Sequence, residues 1–204
     1  MKKSSSSCIN KMVNAIQTIL LITMSLLVIA CSSDSEDDIN KVSDKKSRAL
    51  VYTYPDVNEI IHDYSVQAQM DEAWAETVRS ATKYGRREFG FYVYYNFEND
   101  KFTCGPITEG AIISGCEGTH ASIHLGKPTD NVACCAVFHC HTTLQYCPSD
   151  VHRLTGPSSG DTHFSSEYKL PGILYDYSST TIYGGESKTA PHKIYLYGPT
   201  HRII

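Results

Sequence analysis

Residues 132–141 read Val-Ala-Cys-Cys-Ala-Val-Phe-His-Cys-His, apolar almost without a break. A run this short and this apolar, with no polar alternation, fits a strand buried on both faces, which needs neighbours on both sides. It predicts a sheet with Val132–His141 at its centre. Phe89–Phe97 is aromatic and β-branched, as strands are. Glu98–Lys101 makes a turn and residues 102–104 begin a returning strand, so a hairpin is expected. Gly105-Pro106 and Gly110 interrupt or end that pairing. A weaker strand is expected near Ala121–Leu125, and two more at Ile173–Tyr177 and Lys193–Tyr197, with a Gly-Gly turn between them.

Before the sheet, Val66, Met70, Ala73, Trp74, Thr77, Val78 and Ala81 recur at three- and four-residue steps. This predicts a helix over 63–81, capped by Asp63 or Ser65 and ended by Gly85, with Trp74 packing in the core. The segment His163–Lys169 suggests a short inserted helix. The expected class is α/β, an α+β sandwich. A mixed sheet of about five strands is flanked by a long N-terminal helix and the short one.

The chain's 204 residues do not all belong to that domain. Lys2, Lys3 and Lys11 precede an apolar stretch from Met12 to Ala30, the pattern of a secretory signal over 1–30. Asn14, Gln17 and Thr18 interrupt the run, which argues against a membrane-spanning anchor. The ending Val28-Ile29-Ala30-Cys31 resembles the bacterial lipobox. The resemblance implies an exported lipoprotein held at the membrane through an acylated Cys31. Residues 31–48 are polar and charged and read as a flexible tether. Their acidic run resembles the surface-export signal of Bacteroidetes lipoproteins, so outer membrane, cell surface and periplasmic face all stay open. Residues 49–204 remain, about 155 residues, enough for one domain with a core. A net charge of −4 without a basic patch argues against nucleic acid as a partner.

Beyond Cys8 and Cys31, the cysteines are Cys104, Cys116, Cys134, Cys135, Cys140 and Cys147. In an exported chain they suggest disulfides, with fifteen possible pairings. The expectation is that most are oxidised, with Cys104 joined to Cys116 across the hairpin. Their spacings contain no C-x2-C pair, so a structural zinc knot is disfavoured.

The chemistry gathers at the end of the central strand. Side chains alternate along a strand, so His139 and His141 share a face and Cys140 takes the other, where it packs or pairs in the core. Two imidazoles so placed can hold one ion. Asp161 follows a Pro-Ser-Ser-Gly turn suited to returning a carboxylate to the strand end, and is a third ligand. Two histidines and one carboxylate leave a position open for water, the composition of a catalytic zinc (Zn2+) site that makes hydroxide available near neutral pH. Glu88, at the start of the first strand, is the candidate base, and Ser158 the candidate donor to the oxyanion.

Glu88, then His-x-His, then Ser-x-x-Asp, resembles the JAMM motif of JAB/MPN zinc proteases, a family that includes deubiquitinating isopeptidases. The stretch Arg87–Gly110 after an alanine-bearing helix is similar to the secreted bacterial branch, whose JAB-like domains are attached to toxins and surface proteins. The resemblance spans roughly Asp71–Pro199. It implies a JAB/MPN-like fold and a zinc-dependent hydrolase cleaving an amide in a peptide or protein substrate, with His139, His141 and Asp161 as ligands, Glu88 as base and Ser158 as oxyanion donor. Two positions depart from it. Thr142 stands where the family has proline. The His141–Asp161 gap is 20 residues against roughly eleven, which makes Asp150 and His152 rival ligands. Cys147 is expected to pin the inserted loop. The alternative function is a non-catalytic surface binding module on the same fold.

Overall fold

The computed structural model describes residues 52–116, 122–185 and 190–204, all within one compact unit, Leu50–Ile204. The expected signal segment 1–30, Cys31 and the expected tether lie outside the described residues. No helix among those described is long and apolar enough to cross a membrane.

Helix α1 (Val57–His62) was not legible, being too short to show a period. It runs directly into α2 (Tyr64–Ser80), which the periodicity did predict. Of the two expected caps, Asp63 does the work: its carboxylate accepts from the backbone N–H of Ser65 and of Val66, at 2.9 and 3.1 Å. The helix ends at Ala81, not at Gly85. Gly85 lies instead in β1 (Gly85–Arg86), where the space suits glycine: a Cβ there would sit 2.8 Å from Ile112 Cγ1.

The remaining strands are β2 (Phe89–Asn96), β3 (Lys101–Cys104), β4 (Thr108–Glu109), β5 (Ile113–Ser114) and β6 (Cys134–Cys140). After them come β7 (His152–Leu154), helix α3 (Ser159–Tyr168), β8 (Gly172–Tyr177), β9 (Thr181–Tyr183) and β10 (His192–Tyr197). The class is mixed α+β. Six strands form the main sheet, ordered β10-β8-β6-β2-β3 with β4 also on β2. The β6–β8 pair is parallel and the others antiparallel. Strands β3 and β4 are one returning strand broken at Gly105-Pro106, since both pair with β2. The expected strand at 121–125 does not form. Ala121 lies outside the described residues and 122–125 are not in a strand; the Ala111 N–H donates to the Ser122 carbonyl. The crossover from β6 to β8 carries α3, which starts four residues earlier than expected, and β7, which pairs with β9 apart from the main sheet. That small ribbon was not anticipated; its three-residue strands alternate too briefly to register.

Strand β6 is buried along its whole length, as its composition demands. On one face Ala136, Phe138 and Cys140 pack with Phe89, Phe91, Val93, Ile173 and Tyr175 against Val66, Met70 and Ala73 of α2. Trp74 is half-buried at the rim, its ring 5.3 Å from Tyr177 and edge-on to it. Val137 and Tyr92 point to the opposite face.

The disulfide expectation is corrected. Cys116 pairs with Cys147, Cα to Cα 5.5 Å, and not with Cys104. Twelve residues of sequence separation misled: Cys104 faces Val93 within the sheet, while Cys116 passes to a separate cluster around Leu144 and Tyr177. Cys147 does pin the inserted loop. Cys104, Cys134, Cys135 and Cys140 are thiols, so most of the six are not oxidised. Cys140 packs in the core, as its face requires. Burial pushes the Cys104 and Cys134 thiols up to about 11 and about 12, which makes them poor nucleophiles.

Candidate metal centre

His139 and His141 leave β6 on the face opposite α2, ring centroids 5.2 Å apart. His141 lies one residue past the strand, yet its N–H still donates to the Tyr175 carbonyl at 3.1 Å, so both rings stand on a fixed backbone. Directly opposite His139 is Gly90. A Cβ at that position would fall 2.4 Å from the Phe138 carbonyl oxygen and 2.9 Å from His139 Cβ. Only glycine lets the two strands meet beside the imidazole.

Asp161 arrives from the first turn of α3. The Pro157-Ser158-x-x-Asp161 spacing is a capping box: Ser158 Oγ accepts from Asp161 N–H at 3.2 Å, and Asp161 Oδ2 accepts from Ser158 N–H at 2.6 Å. Those reciprocal bonds fix the carboxylate, which reaches Nε2 of His139 and of His141, each at 3.2 Å. Ligand atoms of the three side chains lie within 4.8 Å of one another, and they are the only such group among the described residues. The rivals stay away. Asp150 and His152 are exposed, and the His152 ring turns back to the Asp150 carbonyl and onto Tyr183.

Each imidazole is also held from behind. His141 Nδ1 lies 3.0 Å from Oδ2 of Asp176, a carboxylate with no exposure. Asp176 in turn accepts from the two terminal guanidinium nitrogens of Arg153, at 2.6 and 2.8 Å, and from Gly156 N–H at 2.9 Å. The Tyr197 hydroxyl stands 3.3 Å from His139 Nδ1. Gly172 makes room for that tyrosine, whose ring would overlap any Cβ there. Both Nδ1 atoms are therefore occupied by protein partners and both Nε2 atoms face Asp161.

The charges follow from this geometry. Burial opposes the His141 cation, but hydrogen bonds to Asp161 and Asp176, with the nearby Glu88, outweigh it and raise its pKa to about 9. Burial works against the Asp161 and Asp176 carboxylates too. Their bonds to the histidines, and for Asp176 to Arg153, still hold both well below the usual carboxylate range.

Glu88 precedes β2, and the ladder's register, continued one step, sets it opposite His141. It is buried on the histidine face. Burial raises its pKa, the two histidines pull it back, and Asp161 pushes it up again. Ser158 Oγ is spent as a cap acceptor, which leaves its hydroxyl proton to donate. Thr142 accepts from Arg86 Nε at 3.0 Å through its hydroxyl. Proline there would forfeit this bond.

A cleft of about 1060 Å³ opens over this face, with Glu88, His139, His141, Ser158 and Asp161 in its wall. Sequence reading had missed Asp176, Tyr197, Arg153 and Gly90. Two of them carried a signal: a lone carboxylate inside the apolar strand Gly172–Tyr177, and a lone glycine inside the aromatic strand Phe89–Asn96. Comparison with known proteins finds no matching family model, no matching curated protein and no matching solved structure.

Proposed function

We propose that the chain is a zinc-dependent peptidase or isopeptidase of the JAB/MPN type, carried on an exported lipoprotein anchored through Cys31. The observation that carries the metal is the pairing of both imidazoles. Histidines that bind metal through one nitrogen are held at the other by a carboxylate, hydroxyl or carbonyl, which sets tautomer and ring angle. Asp176 and Tyr197 are such partners, and the Nε2, Nε2 and carboxylate donor set suits zinc. His139, His141 and Asp161 would hold the ion, which when bound supplies Lewis-acid activation of water at neutral pH. Glu88, its pKa lifted by burial, is suited to take a proton at its carboxylate and return it to the leaving amine nitrogen. The Ser158 hydroxyl is the donor for charge that develops on the carbonyl oxygen of the scissile amide. Asp176, neutralised by Arg153, keeps the His141 ring in place throughout. An oxidised Cys116–Cys147 pair accords with an exported location.

The test couples metal content to turnover. Zinc bound one to one, with cleavage of peptide amides, is the expected result for wild type. Glu88→Gln keeps the shape and removes the proton carrier, so zinc should remain while turnover falls about 10²–10⁴-fold. A chain without affinity for zinc sinks the proposal. Zinc retained with no cleavage of any amide substrate leaves the binding module in its place.

A further inference from the structure

One end of the cleft is apolar and begins beside the proposed metal ligands. Val137 is two residues before His139 and shares its face, and Tyr92, two after Gly90, stands directly opposite Val137. Across from them Phe164 follows Asp161 by one turn of α3, and Leu125 packs against the same group. Phe164 stacks on Tyr168, ring centroids 4.5 Å apart, and Tyr168 is 53% exposed. The Leu125 segment is tied down where the Tyr92 hydroxyl donates to the Gly126 carbonyl at 2.9 Å. All five side chains line the cleft. Two of them come from the sheet and three from the segments that flank it. Leu125 and Phe164 are half-buried. The cleft wall near the histidines carries Glu88, Ser158 and Arg153, and Lys127, His163 and Glu167 also line the cleft.

We infer that this end is a specificity subsite, and that the substrate is a peptide with an aromatic or large aliphatic side chain next to the scissile amide. The inference rests on the zinc-peptidase reading and adds its substrate class. Continuity selects the occupant. Val137 and Phe164 stand two and three residues from the ligands His139 and Asp161, so a peptide whose carbonyl reaches those ligands places its adjacent side chain on these rings. The cluster itself offers apolar side chains, and the charged groups that share the cleft, Lys127 and Glu167, lie outside it, so an aromatic or aliphatic side chain gains most by packing on these rings.

Hydroxamates read the subsite without turnover. Two series are used with the zinc-loaded full chain, N-acyl aminohydroxamates with the side chain on the acyl side and succinyl hydroxamates with it on the amine side. Each series carries benzyl, isobutyl or hydrogen. In one of the two, benzyl and isobutyl should bind roughly 10- to 100-fold more tightly than hydrogen. Phe164→Ala, or Leu125→Ala should the first variant not fold, should erase most of that gap at unchanged zinc content. Zinc-loaded protein that binds all three members of both series equally well overturns the subsite and leaves the peptidase reading standing. So does a preference that survives both variants. Absence of zinc from the purified chain removes the reading on which the subsite rests, and the subsite with it.

Discussion

Phe138 and His139 are neighbours on β6, exposed by 0% and 4%, and they live in different chemistry. Phe138 turns toward α2 into a layer of apolar side chains, its ring 4.9 Å from Phe91 and 5.2 Å from Tyr175. His139 turns toward the cleft, where Asp161 and Tyr197 take its two nitrogens. Burial alone does not separate a core residue from a site residue. The separation comes from what each buried atom is bonded to, since a polar group taken out of water must find a partner or carry the full cost.

The widest break between the faces should come from removing one residue on each. Phe138→Ala empties a fully buried position and should destabilise the domain by about 3–5 kcal/mol, while the folded fraction still binds zinc. His139→Ala removes a proposed ligand, so zinc and cleavage should disappear together. Denaturant unfolding and metal analysis on the same preparations read both. If the phenylalanine variant remained folded and lost its zinc, the two faces would not be independent.

The faces also differed in how well the sequence announced them. The α2 face was legible because its signals are periodic: step three or four along the helix, step two along Phe89, Phe91 and Val93. On the other face His139, His141 and Asp161 were legible as a motif of residue types at short spacing. Asp176, Tyr197 and Arg153 were not. They lie 35 residues from His141, 58 from His139 and 23 from Asp176, contacts made by strand pairing and by the β7 ribbon, which no local pattern encodes. The disulfide failed for the same reason: its 31-residue span depends on where the inserted loop folds.

Acid and base should distinguish the faces next, because only one of them holds histidine–carboxylate ion pairs. In the zinc-free protein the folded His141 pKa of about 9 lies above the unfolded value near 6.5. Stabilisation by its ion pairs is thus fully present below about 6.5 and is lost as pH rises through about 9. Asp161 and Asp176 are depressed, so the same pairs are lost again as pH falls below the ordinary carboxylate range near 3.9. Zinc-free stability should therefore peak between roughly pH 4 and 6.5 and decline on either side, by at most about 3 kcal/mol on the alkaline limb. His141→Gln should flatten that limb. A variant that kept it would assign the loss to another group.

Asp176→Asn and Tyr197→Phe sharpen the comparison inside the polar face. Asp176 is charged, wholly buried and 3.0 Å from His141, and its loss should weaken zinc binding by about 10- to 100-fold. Asparagine also leaves Arg153 without its counter-charge, so Arg153→Ala in the Asp176→Asn background tests whether that stranded cation is part of the cost. Tyr197 offers a neutral hydroxyl at 3.3 Å, a longer bond, and its removal should cost less than the loss of Asp176. Zinc competition with a chromogenic chelator ranks them, and the reverse order would mean that His139 and not His141 is the more tightly governed ring.

Asp150→Ala should do nearly nothing, and that is its use. Residue type and sequence distance make Asp150 a fair rival to Asp161, since it lies in the inserted loop close after the second histidine. What separates them is anchorage. Asp161 is locked by reciprocal bonds to Ser158 at the start of a helix aimed at the strand end. Asp150 sits exposed in a turn between the disulfide at Cys147 and the ribbon strand at His152. A carboxylate already in water gains nothing from the fold, so its removal should leave stability within about 0.5 kcal/mol of wild type and zinc content unchanged. Asp161→Ala should lose both zinc and the α3 cap bond. Loss of zinc from Asp150→Ala with zinc kept in Asp161→Ala would reverse the assignment. The inserted loop would then swing inward when metal binds, and the cleft would close from the disulfide side.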